Sequence, residues 1–455
     1  MNIIFFISVI LKGIGAALEI FLQILITRKL GVDGYGTYST WINAADLIFG
    51  VLFSALTKCN TFYLSIEGTS IKKFKNKYYS RYVIPMISFG IIPLIISGNM
   101  KYCLVVIITV LELLTMDQSS TLLAQRHQME SLIGEYVLGR CILILGFMGL
   151  SIINKLNVFL LIILYGVQFL IIIFYFYLVT DNKKVETKDI SDTVTLKKWS
   201  SYQRADFMQS LIGQMPVILQ YFSSGAFEAG IVSIVLMIKK MINFISGPTA
   251  KIFLPEFSKL YKSGDKEKIR SCYASIMRIQ MVFAGPLSVI LIAYPKVIIK
   301  ILEKELVRYA FIFELCSAIF IFAATLGPCS GLLQMTGNEK KDNQLREIAL
   351  CVMVIVMVIF RKDSLFVLYG LCAQALLEEI GKYYYVSKWL GKSPVKISAY
   401  IKWWMFPVAV IVFTYLVQWE NSLLGMIVST MIVFVFEAYK ELKKEKVLQI
   451  LIKRD

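Results

Sequence analysis

The sequence predicts an all-α polytopic membrane protein of about 14 transmembrane helices, arranged as two six-helix lobes followed by two further C-terminal helices. Three observations carry this. The 455 residues are 57% hydrophobic and 17% charged, with a mean hydropathy of +0.68, whereas soluble chains run at about 45–50% apolar and about 25% charged. Apolar runs long enough to cross ~30 Å of hydrocarbon as helix recur from one end to the other. Finally, Gly31, Gly36 and Ser39 return with identical spacing as Gly225, Gly230 and Ser233. That echo implies an internal repeat.

The first apolar run, 3–26, leads into a polar turn over 28–39, and the second helix covers 38–57. A basic loop follows, with Lys58, Lys72, Lys73, Lys75, Lys77 and Arg81. Helices three to six are expected at 82–98, 102–124, 133–153 and 158–179. They complete a first lobe, residues 1–180. Residues 181–204 are polar and read as a cytoplasmic linker carrying Lys183, Lys184, Lys188, Lys197 and Lys198. The second lobe, 205–386, holds helices at 205–222, 226–247, 273–295, 309–333, 348–360 and 364–386. A second basic segment, 254–270, interrupts it. Two last helices, 401–418 and 422–439, and a basic tail complete the region 387–455. Because six is even, the two copies enter the membrane in the same sense, as in parallel-repeat transporters.

The formal net charge is +17, but the bases lie in short loops between apolar runs. They build no folded basic face, so nucleic acid is excluded as a partner. With the N-terminus inside, most lysines and arginines fall on the cytoplasmic side, which predicts cytoplasmic termini. Such a surface also favours anionic membrane lipids. The eight cysteines form no C-x-x-C pair, so neither a metal site nor a disulfide framework is expected. The lone histidine, His127, has no catalytic company. The outer loops are too short to house a catalytic domain. No cofactor is implied, and the chain is not expected to be an enzyme.

Charges inside the predicted spans are the candidate functional residues, because each costs at least ~2.5 kcal/mol near mid-membrane. The bases are Lys12, Arg140, Lys239, Lys240, Arg278 and Lys382. Lys382 lies at helical spacing from Glu378 and Glu379 and reads as a structural pair. The others either pair and snorkel or line a cavity open to the cytoplasm. Such a cavity suits a phosphate-bearing headgroup, since lysine and arginine are the usual partners of phosphate oxygens. Among the acids, Glu19, Asp46, Asp117 and Glu314 are candidates for H+ or Na+ coupling, or counter-ions for those bases. Asp117 and Glu314 are expected at mid-membrane.

The turn Arg28-Lys-Leu-Gly31-Val-Asp-Gly-Tyr-Gly36-Thr-Tyr38 resembles the loop after the first helix of bacterial polysaccharide transporters, the O-antigen and capsule flippases of the MOP superfamily. Glu228-Ala-Gly230-Ile, Lys239-Lys240, and Leu254-Pro255 with Ser263-Gly264-Asp265 resemble the start of their second lobe. Val232 and Ile301-Leu-Glu-Lys304 depart from the usual pattern. The resemblance implies a V-shaped pair of lobes in a bacterial plasma membrane. It implies flipping of an undecaprenyl-diphosphate-linked oligosaccharide by alternating access, ion-coupled and in company with other polysaccharide-assembly proteins. Cationic lumen residues carry over to Lys12, Lys239 or Lys240, and Arg278. Two alternatives stay open: a cation-coupled exporter of drugs or other lipids, and a membrane-embedded polymerase or glycosyltransferase.

Overall fold

A computed structural model describes residues 2–57, 60, 76–77, 79–85, 100–124, 127–180 and 196–442, and every structural statement below concerns these. All of their regular structure is helical. Contacts divide the chain into two units, Met1–Ser233 and Ile234–Asp455.

The first unit begins with α1, Asn2–Leu52, which is broken only at Gly31 (φ 72, ψ 176). The expected polar turn over 28–39 is therefore helical apart from one residue. Glycine alone takes that positive φ without a Cβ penalty. Gly34 and Gly36 continue the helix, and Gly36 is small for a packing reason. A Cβ there would lie 1.8 Å from the Ala226 carbonyl oxygen and 2.7 Å from the Gly230 nitrogen. A Cβ on Gly230 would in turn lie 2.5 Å from the Val32 carbonyl oxygen. Ser39 and Ser233, 194 positions apart, meet through their hydroxyls at 2.7 Å. Val32 and Ala226 share that same offset. The two segments, 32–39 and 226–233, thus touch through residues at the same offset.

Next comes α2, Met100–Ala124, then α3, Gln128–Leu132, which passes through a wide turn at Ile133–Leu138 into α4, Gly139–Ile152. α5, Val158–Val179, is started by Asn157, whose side chain accepts a hydrogen bond from the Leu160 amide at 2.8 Å. α6 is Leu196–Ser224 and α7 Ala226–Lys262, separated at Gly225 (φ 114). Residues 181–195 of the expected linker lie outside the described residues, and 196–204 form the start of α6. α6 packs chiefly on α1. Gln203 ties them, donating to the Gly50 carbonyl at 3.0 Å and accepting from the Ala55 amide at 3.2 Å. The division between units accordingly falls inside α7. The helix expected at 82–98 lies almost wholly outside the described residues.

In the second unit α8, Lys266–Ser288, is capped by Asp265, which accepts from the Lys268 amide at 2.9 Å. A wide turn at Val289–Ala293 follows Pro286, whose ring removes an amide donor from the helical ladder. α9, Pro295–Leu302, and a tight turn at Lys304–Tyr309 lead to α10, Ala310–Thr325, and α11, Cys329–Met335. The expected single helix over 309–333 is split at Gly327 (φ 100) before Pro328. α12, Glu339–Ile359, and α13, Phe366–Leu390, pack as a hairpin. Phe257, Tyr273, Met277, Leu332, Leu333 and Trp403 anchor a core beneath them. α14, Ile397–Leu416, and α15, Leu423–Leu442, end the described chain.

Among the described residues, seven helices are long and apolar enough to cross a membrane. Their unpartnered faces are apolar too: Phe174, Met405 and Leu424 are all more than half exposed. In water such faces would be a liability, and in lipid they are the solvent-facing surface. The chain is a multi-pass membrane protein.

Candidate functional site

In the first unit a tight crossing sets the geometry around Lys12. A Cβ on Gly15 would lie 2.7 Å from the Tyr136 carbonyl oxygen, so α1 lies directly against the wide turn of Ile133–Leu138. Lys12 Nζ sits 5.5 Å from the Tyr136 ring centroid, a cation–π distance, with Glu135 in electrostatic reach. Glu135 itself accepts a hydrogen bond from Ser119, which also meets Ser131 at 2.7 Å. Two turns along α1, Glu19 Oε2 meets Arg140 Nη2 at 3.3 Å. Gln23 donates to Glu19 at 3.3 Å, and the Tyr35 hydroxyl donates to Gln23 at 3.0 Å. Arg140 thus has a direct carboxylate partner, the counter-ion alternative for that residue. Asp46 and Glu112 lie within electrostatic reach of it.

Asp117 is buried on α2 and accepts from Asn60 Nδ2 at 2.7 Å. Asn60 also donates to Ser120 at 3.0 Å, and the Tyr79 hydroxyl bonds to Asp117 as well. This carboxylate is held in a hydrogen-bonded cage.

In the second unit Lys239 on α7 donates to Gln374 Oε1 at 3.4 Å and lies 5.1 Å from the Phe320 ring centroid. Its neighbour Lys240 is exposed, as adjacent positions on a helix point to different sides. Arg278 on α8 stacks on Trp403, with 5.7 Å from guanidinium carbon to ring centroid. Its Nε is buried without a hydrogen-bond partner, and the described residues offer it no ion pair. Glu314 sits near the start of α10, beside the Tyr415 hydroxyl and the Lys296–Glu420 ion pair (3.1 Å). It lies about one turn from the start of α10, within the apolar span Lys304–Met335.

Lys382 is fully buried. Its ammonium contacts Glu378 at 2.5 Å, Asp342 at 2.9 Å and the Ser330 hydroxyl at 2.6 Å. Arg346 meets Glu378 at 3.2 Å and Asp342 at 3.8 Å, and Gln334 donates to Asp342 at 3.0 Å. Gln374 donates to Glu378, so this network adjoins Lys239. The pairing expected for Lys382 with Glu378 is present. Asp342 and Arg346, which sequence reasoning missed, lie on the polar first turns of α12, ahead of its apolar stretch. A signal existed: both are charges spaced i, i+4 on a helix continuing into an apolar run.

The Lys382 cluster joins α11, α12 and α13, and its charges are matched. Lys239 and Arg278 instead have aromatic or amide contacts, and such cations keep capacity for a further anion. Among the described residues, no group of three or more His, Cys, Asp or Glu is placed to hold a metal ion.

No family model matches the chain, and no curated relative matches it. Among solved structures, a lipid II flippase, MurJ, in an inward closed conformation covers 97% of this chain and all of its own, with a TM-score of 0.66 at 16% identity. An inward-facing multidrug resistance MATE family transporter of the MOP superfamily covers 84% of this chain and 99% of its own (TM-score 0.60, 12% identity). A MATE transporter in a straight conformation covers 85% and 94% (TM-score 0.55, 11% identity). The chain has the fold that these flippase and MATE structures share.

Proposed function

We propose that the chain is a flippase for a lipid-linked oligosaccharide. It would move an undecaprenyl-diphosphate-linked O-antigen or capsule unit from the inner to the outer leaflet of a bacterial plasma membrane by alternating access. Both termini are then cytoplasmic, and the partners are the lipid-linked substrate, membrane lipids, a coupling H+ or Na+, and other polysaccharide-assembly proteins. The observation that carries this reading is Arg278, a guanidinium stacked on Trp403 with a buried Nε that lacks a hydrogen-bond partner. A diphosphate supplies the acceptors this group lacks, with Lys239 of the same unit as a further cation. The sugar and the polyprenyl tail are recognised elsewhere.

The test is binding of undecaprenyl diphosphate to the purified protein in detergent. A charged hydrogen bond contributes about 1.5–3 kcal/mol, so Arg278→Ala should weaken binding by about tenfold or more. Arg278→Lys, which keeps the charge but not the fork, should fall between. Undiminished binding by Arg278→Ala rejects the assignment.

One observation favours a second reading. Within the first lobe's expected apolar spans, Glu19, Asp46, Glu112, Asp117 and Glu135 outnumber Lys12 and Arg140. Such an interior suits a cation-coupled exporter of organic cations. Saturable binding of tetraphenylphosphonium, with none of undecaprenyl diphosphate, would select it.

A further inference from the structure

The second unit holds two thiols that anion capture does not use. Cys316 on α10 and Cys372 on α13 are 3% and 8% exposed, and both are free. Their sulfurs meet at 3.6 Å where those two helices pack together. The cysteines are 56 positions apart, so no local spacing marks them as a pair. A free buried cysteine is ordinarily a small hydrophobe and chemically inert. Here a second sulfur and a cation change the setting. Lys239, from α7, lies against the same two helices. Its ammonium donates to Gln374, two positions past Cys372, and stands 5.1 Å from the ring of Phe320, one turn past Cys316. Cys329 makes the contrast: its sulfur faces the Tyr273 hydroxyl at 2.9 Å and the Leu326 carbonyl at 3.8 Å, oxygen partners with which no sulfur–sulfur bond forms.

Two chemical requirements decide what the pair can do. A disulfide is about 2.05 Å long, so the sulfurs must approach by about 1.5 Å, a gap that rotation about the two Cα–Cβ bonds closes. The reacting species is a thiolate, which a neighbouring ammonium favours, and Lys239 supplies that charge. Burial restricts the oxidant to a small uncharged molecule such as hydrogen peroxide.

We propose that Cys316 and Cys372 are a modification site, where peroxide joins them in a reversible disulfide that staples α10 to α13 beside Lys239. The Cys372 thiolate attacks one peroxide oxygen; the S–O bond forms, the O–O bond breaks, and the leaving hydroxide takes up the thiol's proton as water. The Cys316 sulfur then attacks the sulfenic sulfur; the S–S bond forms, the S–O bond breaks, and a second water leaves with the Cys316 proton. The sulfurs together lose two electrons, and the peroxide oxygens gain them. A dithiol reductant reverses the bond by exchange. The site is independent of what the chain transports.

The test uses the full-length protein in detergent, treated with hydrogen peroxide, then unfolded, capped with N-ethylmaleimide and digested without reductant. Mass spectrometry should find the Cys316 and Cys372 peptides as one linked species, lighter by two hydrogens than their sum, and dithiothreitol should return them to separate peptides. Cys372→Ser should abolish the linked species. The temperature at which half the protein leaves its gel-filtration peak should rise when the parent is oxidised, because the bond closes a long loop, and should not move in Cys372→Ser. Recovery of Cys316 and Cys372 as separate capped or sulfinic peptides overturns the proposal, as does either one linked to another cysteine. A linked species with a lowered half-loss temperature overturns it too, since the native packing would then not accommodate the bond. The measurement on the parent needs no substitution, so it decides the matter even where a variant fails to fold.

Discussion

Gly36→Ala is the substitution whose consequence follows most directly from the geometry. The added Cβ would stand 1.8 Å from the Ala226 carbonyl oxygen, where ordinary contact begins at 3.4 Å. It would also stand 2.7 Å from the Gly230 nitrogen. Both obstacles are backbone, so no side-chain rotation relieves the clash and the second limb of α1 must back away from α7 by about 1.6 Å. Overpacking of this sort costs about 1–3 kcal/mol, and backbone displacement sets this case at the upper end. An opposing gain of up to about 1 kcal/mol comes from replacing a helical glycine by alanine. Gly213→Ala measures that gain alone, because its Cβ meets nothing within 4 Å. The Ser39–Ser233 contact at the same crossing is a weaker link. Ser39 also donates to the Gly36 carbonyl at 3.1 Å and Ser233 to the Ala229 carbonyl at 2.8 Å, so neither is orphaned by loss of the other. The assay is the temperature at which half the detergent-solubilised protein disappears from its gel-filtration peak. The expected order of stability is Gly213→Ala at or above the parent, then Ser39→Ala, then Gly36→Ala well below. Gly36→Ala as stable as Gly213→Ala would refute the close crossing.

Three further substitutions use the same assay. Gly31→Ala meets no atom within 4 Å but sits at φ 72, so its cost is conformational only, about 1–2 kcal/mol; no loss would mean that α1 is not broken there. Lys382→Met removes the counter-ion of the buried Glu378 and Asp342 and should cost about 3–5 kcal/mol, whereas Lys296→Ala, from the more exposed pair with Glu420, should cost no more than about 1 kcal/mol. Equal losses would show that the Lys382 network is not buried as described.

Much of this fold was legible because a spanning helix announces itself by length. α5 occupies 158–179 in both the sequence and the structure, and α14 and α15 start within four residues of their expected positions. The errors share one cause: apolar windows see lipid-facing chain, not hydrogen bonding. α6 starts at Leu196 and α7 runs to Lys262, through lysine-bearing stretches that a helix accepts outside the hydrocarbon. Glycine was misread in the opposite direction. Gly31, Gly34 and Gly36 look like a turn, yet only Gly31 breaks the helix, while Gly36 admits a neighbouring backbone. Periodicity does not separate these two uses of glycine; the repeat at Gly230 hints at the second. For the charged residues, sequence locates the charge and not its partner. Lys382 and Glu378 lie one turn apart on α13 and were paired correctly. Asp342, forty positions earlier, is reached only through the α12–α13 hairpin.

The intramembrane bases consequently fall into separate physical classes. Lys382 has three oxygen partners on three helices and no exposure, so its charge is consumed in joining them, and its replacement should change stability before it changes transport. Arg140 has one partner, and that pair is about a quarter to a third exposed, which leaves the guanidinium able to exchange Glu19 for another anion. Arg278 rests on an indole and keeps an unused donor. Tightly held ions are poor ligand sites, because a ligand must displace an existing partner and pay its desolvation again. From Lys382 through Arg140 to Arg278 the charge is progressively less engaged by the chain's own oxygens. That order makes Arg278 the base at which substitution should affect anion affinity most and folded-state stability least.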